Sequence, residues 1–249
     1  VARFVLRNTA PSAPFTPASL AGLAAWYDAS DAASITSSGG AVSQWNDKSG
    51  NARHLVQATG SSQPITGTRT QNSLNVIDFT AVSQRIEVTG FTAITTNTAT
   101  AFAVFQWETG SQNFARLWCL APAGGDESFV TTGMCVAQRR ASTTWAQAYN
   151  GAVAATAVIA QDTPALIASQ RNGDAGSFWL NGGSASSTSG YGTSNFNIQD
   201  FYVATRFDHD TSNAPMDGWV AELILYSTAL GATDRATVRD YLNAKWAVY

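Results

Sequence analysis

The sequence predicts an all-β sandwich domain closed by one C-terminal α-helix, and three observations predict it. Only 12% of the 249 residues are charged, while Gly, Ser, Thr and Ala abound, the usual solvation of a β surface. Turn signals recur roughly every ten residues, the rhythm of a sandwich or barrel. Only one stretch, at the end of the sequence, carries a helical apolar stripe. A chain of this length fits one β domain with a core large enough to dispense with staples.

Residues 1–8 set Phe4 and Leu6 among Arg3, Val5 and Arg7, a short strand or arm. Pro11, Pro14 and Pro17 then recur at every third position, which favours polyproline II. At about 3.1 Å per residue they make a semi-rigid spacer of roughly 20 Å. The chain divides accordingly into an arm and spacer, residues 1–19, and a β domain, residues 20–249. The arm and spacer predict a tethered domain that assembles with other proteins and as a homo-oligomer. The first ten residues are too polar for a signal-peptide core, so export by another route or prior processing is expected.

The domain opens on Trp26-Tyr27-Asp28 and, beyond a Ser/Gly turn, Trp45-Asn46-Asp47-Lys48-Ser49-Gly50-Asn51. Trp26 and Trp45 are core anchors, since large aromatics at strand positions bury about 150–250 Å² each. Asp47 and Asn51 suit turns because their side chains bond nearby backbone, and Gly50 supplies positive φ. This motif is read as the turn that starts the fold. Strands follow at 75–80, 85–88 and 99–107, the last apolar on both faces and therefore central. Cys119 and Cys135 flank a turn near Gly124–Glu127, directly opposite each other in a symmetric hairpin; a disulfide and two buried thiols both fit. Strands at 143–149, 154–160, 165–171 and 177–181 precede a polar loop over 183–198, then strands at 201–206 and 218–226. In the last, Trp219, Ala221, Leu223 and Leu225 alternate with Val220, Glu222, Ile224 and Tyr226. From Ala232 to Trp246, Val238, Tyr241, Leu242 and Trp246 form one helical face, with Asp234 in the first turn and Lys245 in the last as the dipole prefers.

Three stretches carry a family resemblance: Leu23-Ala24-Ala25-Trp26-Tyr27-Asp28 with the Trp45–Asn51 motif, the Arg171–Gly182 hairpin, and Gly218–Tyr226 with Arg239-Asp240-Tyr241-Leu242. Together they resemble bacterial and phage laminin G-like, or concanavalin A-like, domains. The resemblance implies a jelly-roll β-sandwich of two antiparallel sheets. It also implies a non-catalytic virion surface protein, a tail or head fibre or decoration subunit that adheres to host-surface glycans. The alternatives weighed beside it are a purely structural subunit and a glycosidase or lyase.

The chemistry in the sequence is sparse. The net charge of −3 gives no footprint for nucleic acid, and no apolar run is long enough to span a bilayer as a helix. Glucanases on such a sandwich carry two glutamates four residues apart on one strand face; here Glu87, Glu108, Glu127 and Glu222 are the only glutamates, all far apart. No catalytic residue is nominated. Two loops carry candidate ligands. Asp208, Asp210 and Asp217 offer carboxylates to calcium, or cap turns in a solvated loop. Tyr191, Asn195 and Asn197 offer an aromatic face and amides to a glycan, or belong to a loop without a ligand.

Overall fold

The computed structural model describes residues 14–124, 134–149, 152–206, 208–209 and 215–249; the arm with Pro11 and the tip of the cysteine hairpin lie outside them. In chain order the strands are β1 (Leu23–Asp28), β2 (Ile35–Ser38), β3 (Ala41–Trp45), β4 (Leu55–Val56), β5 (Ile65–Gln71) and β6 (Leu74–Phe79). Next come β7 (Ile86–Val88), β8 (Ile94–Thr96), β9 (Thr98–Trp107), β10 (Arg116–Ala121), β11 (Met134–Ala141), β12 (Thr144–Tyr149) and β13 (Ala152–Val158). The set closes with β14 (Ala165–Asn172), β15 (Ala175–Leu180), β16 (Ser186–Ser189), β17 (Phe196–Ile198), β18 (Asp200–Val203), β19 (Gly218–Tyr226) and the helix α1 (Ala232–Trp246). Seventeen strands join one large antiparallel sheet, and β8 pairs with β17 in a small second one. Strands such as β18, paired with both β10 and β7, keep the large sheet continuous where two separate sheets were expected. The loop expected over 183–198 holds β16 and β17. Its Ser/Thr run pairs with the edge of β15, a partner that a local apolar pattern does not reveal.

Alternation explains the centre. β9 lies between β14 and β19. Its Ala99, Ala101, Ala103, Phe105 and Trp107 enter one buried cluster, while Phe102 and Val104 enter a second, shared with Val238, Leu242 and Trp246 of α1. Both faces are dry, so the continuous apolar run follows from its position. The hairpin of β10 and β11 places Cys119 opposite Cys135. Phe15 meets the ring of Tyr241 edge-on at 5.7 Å, and the Tyr226 hydroxyl donates to the Pro17 carbonyl at 2.9 Å. The stretch entering the domain therefore lies down on the helix side.

In β19 the regular alternation breaks. Val220 pairs with Phe105 and Glu222 with Val104, so two residues are spanned against one across a β-bulge at Ala221. Val220 faces the first cluster, yet Glu222 turns to the helix side instead of sharing its face. There its fully buried carboxylate accepts from Trp26 Nε1 and Trp246 Nε1, each at 2.7 Å, from Tyr241 Oη at 2.9 Å and from Lys245 Nζ at 2.7 Å. Lys245 also reaches Asp28 Oδ1 at 2.6 Å, and Lys48 reaches Asp28 Oδ2 at 2.9 Å.

The opening motif folds around Asp47. Its Oδ1 accepts the backbone N–H groups of Trp26 at 3.0 Å and Ser49 at 2.9 Å. Its Oδ2 accepts the Arg53 N–H at 3.1 Å and the Ser49 hydroxyl at 2.8 Å. One buried carboxylate thus closes its own turn and fastens it to β1. Asp47→Ala leaves these donors unmatched and is expected to lower stability by about 1–3 kcal/mol. Denaturant unfolding checks this, and an unchanged midpoint would show that the turn holds itself.

Candidate active site

β5 and β6 form a hairpin whose turn places Asn72 and Ser73 at φ 49° and 62°, the conformation that fits the twist of a tight hairpin. The hairpin brings Arg69 on β5 to Asp78 on β6, with Nε 3.1 Å from Oδ2; Thr68 Oγ1 donates to the same oxygen at 3.2 Å. At its start β19 pairs with β6 on one edge and β9 on the other. The end of β6, the end of β9 and the start of β19 therefore converge. Glu108, just past β9, accepts both terminal nitrogens of Arg69, Nη2 at 3.0 Å, and Gln106 Nε2 at 3.1 Å. Asp217, just before β19, accepts the Gly110 N–H on Oδ2 at 3.0 Å. Its backbone is clamped by Glu108 N–H to Asp217 O at 2.8 Å and by the Ser111 hydroxyl, which donates to Asp217 O at 2.8 Å and accepts from Asp217 N–H at 2.9 Å.

Two glycines make this approach possible. A Cβ on Gly110 would lie 2.1 Å from Asp217 Oδ2, and one on Gly218 would lie 2.0 Å from the Gln106 carbonyl. Gly218 also sits at φ 136°, a conformation that side chains resist.

Two carboxylates, Asp78 and Glu108, thus bond one guanidinium, and the charge of Asp217 acts on it from nearby. Burial, reinforced by the charge of Glu108, raises Asp217 above the ordinary carboxylate value although Gly110 and Arg69 pull it down. Burial likewise raises Asp78 against the pull of Arg69, and Asp78 Oδ1 has no hydrogen-bond partner among the described residues. Asp217, only partly buried, lies within reach of solvent, whereas Glu108 presents a carboxylate fixed by a two-pronged ion pair. A carboxyl group of raised pKa and a fixed carboxylate are the two kinds of group that acid–base cleavage of an acetal uses.

No family model matches the chain, and no curated protein matches it. Solved structures do. Trypanosoma rangeli sialidase in complex with sialic acid superposes with a TM-score of 0.59 and 14% identity, over 91% of this chain and 33% of the sialidase. An arabinofuranosidase complexed with arabinofuranosyl-alpha-1,2-xylobiose gives 0.54 and 15%, over 83% of this chain and 51% of its own. A mutant of the Trypanosoma sialidase displaying trans-sialidase activity gives 0.53 and 12%, over 92% of this chain and 34% of its own. The chain spans about a third of the sialidases and half of the arabinofuranosidase. At these identities the likeness is one of fold.

The comparisons correct the function expected from sequence. The solved structures that share the fold are sialidases and an arabinofuranosidase where a non-catalytic virion surface protein was expected, so neither that expectation nor the one of no enzymatic role is carried further. The physical reason is one of geometry. The glutamate pair on one strand face is absent, and carboxylates from separate strands carry no spacing to nominate them: Asp78, Glu108 and Asp217 come from three strand ends far apart in the chain. The visible signals were an aspartate inside the apolar strand Leu74–Phe79 and one of only four glutamates at the end of β9.

Of the loop residues nominated from sequence, only Asp217 joins this site. Asp208 is paired with Arg206, whose Nε donates at 2.7 Å; Asp210 is outside the described residues; Asp217 belongs to the Arg69 cluster. His209 Nε2 lies 2.6 Å from Glu87 Oε2. Among the described residues no three His, Cys, Asp or Glu side chains converge to hold a metal ion. Tyr191 was expected as an exposed sugar platform, but its ring is buried in the core. The buried Arg171 holds that loop from beneath, with Nη2 donating to the Gly192 and Ser194 carbonyls at 3.0 Å each. Asp174 accepts the Gly190 and Gly192 N–H groups from outside. Asn195 is exposed, and Asn197 accepts from Thr95 Oγ1 at 2.7 Å.

Proposed function

We propose that this chain is the jelly-roll-like sandwich unit of a carbohydrate-active enzyme that hydrolyses glycosidic bonds in a glycan. The observation that carries the reading is the gathering of Asp217, Glu108 and Asp78 about Arg69. Asp217 protonates the leaving oxygen, Glu108 attacks the anomeric carbon or activates water, and Arg69 keeps Glu108 oriented. Asp78 shares the guanidinium and sets its position. The glycosidase neighbours support the reading through a shared fold.

The test is release of new reducing ends from a panel of plant, bacterial and sialylated glycans. Turnover by the wild-type chain that is lost in Asp217→Asn supports the proposal. A folded wild type that cleaves nothing on the panel, or an Asp217→Asn variant as active as wild type, removes it.

A further inference from the structure

A second site lies away from Arg69, between α1 and the face of β14 and β15. A pocket of about 230 Å³ opens there, with Trp179, Phe102 and Leu166 on the sheet side and Arg235, Ala236 and Arg239 on the helix side. The spacing Ala232, Arg235, Ala236, Arg239 is one helical face, on which two alanines leave the space that two arginines border. The Arg235 guanidinium stacks 4.2 Å from the centre of the Trp179 ring, and its Nη1 donates to the Leu230 carbonyl at 2.8 Å, so it is held in place. Arg239 is held loosely, by Asp240 at 2.7 and 2.8 Å, a partner whose side chain is 66% exposed. Such a screened pair is weak, so the guanidinium can exchange one carboxylate for another at little cost. At the rim, a Cβ on Gly182 would meet Tyr249 Oη at 2.6 Å and Arg239 Cδ at 3.3 Å, so this edge requires glycine.

We propose that this pocket binds a carboxylate-bearing sugar unit of the hexuronate type. Among the described residues no carboxylate lines it, and two guanidiniums border it, one fixed and one paired only with the exposed Asp240. A guanidinium fork matches a carboxylate with two parallel hydrogen bonds. Beside the stacked Arg235 and Trp179 the wall is Phe102, Leu166 and Ala168, an apolar surface that suits the C–H face of a pyranose and is of no use to an inorganic anion. The volume falls below the roughly 300–1,000 Å³ of pockets for drug-sized ligands, which limits the occupant to about one ring.

Calorimetric titration of the whole chain with glucuronate, glucose and inorganic phosphate tests this. Glucuronate is expected to bind, with glucose and phosphate each roughly tenfold weaker or more. Arg239→Gln is expected to weaken glucuronate by roughly tenfold or more, and Ala236→Leu, which fills the pocket without removing a ligand contact, to abolish it. Asp217→Asn is expected to bind like wild type, which separates this site from hydrolysis. Absence of glucuronate binding to the wild type, glucose or phosphate binding as tightly, or unchanged affinity in either pocket variant overturns the proposal.

Discussion

Asp217→Asn is expected to reduce glycan hydrolysis by about 10²–10⁴-fold, the usual contribution of a positioned proton donor. The amide oxygen can still accept the Gly110 N–H, so the loop and the start of β19 keep their geometry and the loss is one of chemistry. Leaving-group dependence provides the control. An aryl glycoside whose phenolate departs without protonation should lose far less rate in Asp217→Asn than a natural glycan. Glu108→Gln should lose rate on both, because attack fails whichever group departs. The pH profile has a definite sign. Burial and Glu108 raise Asp217, so it stays protonated to a higher pH than an ordinary aspartate, and activity falls as pH rises through its titration. Equal losses on both substrates in Asp217→Asn would assign it a positioning role instead.

Lys245→Met is expected to destabilise the fold by about 3–5 kcal/mol, the penalty for removing one partner of a buried charge pair. The ammonium lies between Glu222 at 2.7 Å and Asp28 at 2.6 Å; without it Asp28 keeps Lys48, but the fully buried Glu222 loses its cation. Denaturant midpoints at neutral pH measure the loss, and a variant within about 1 kcal/mol of wild type would reduce the network to surface ion-pair value. Acid distinguishes the partners. Burial pushes Asp28 up, but Lys245, Ser30 and Lys48 together hold it below its ordinary 3.8. The stability it contributes is therefore complete above that value and is lost as pH falls below it. Glu222 is raised by burial against the pull of Lys245, so its share is present at low pH and is lost as pH rises through its titration. The deficit of Lys245→Met should accordingly shrink as the medium is acidified and the stranded Glu222 takes up a proton.

Much of this architecture is legible in the sequence wherever a pattern is local. The helix over Ala232–Trp246 follows from one apolar stripe, and the double-sided burial of β9 from an unbroken apolar run. The opposition of Cys119 and Cys135 follows from hairpin symmetry. Legibility fails where one residue changes the count. Strict alternation sets Glu222 on the face of Val220, and only the bulge at Ala221 turns it toward Trp246, with no composition signal to announce it. The carboxylate cluster was hidden for another reason. Arg69 and Glu108 are 39 residues apart, and Gly110 and Asp217 are 107 apart, so nothing but the strand pairings brings them together. Tyr191 misled because a polar loop gives no local sign that its backbone is tied to Arg171 and its ring packs in the apolar core.

The placement of β19 also says something about the order of events during synthesis. Its partners are β1, β6 and β9, all made long before it, and Trp26 waits for a carboxylate 196 residues downstream. As the chain leaves the ribosome, β9 emerges with both flanks unoccupied; β14 fills one, and the other stays open until β19, while its Phe102 face waits for α1. Completion must await this latecomer, and closing such long loops makes folding slow, in the millisecond-to-second range typical of non-local β topologies. Until then the nascent chain carries an open strand edge, the surface on which chaperones and misassembly compete.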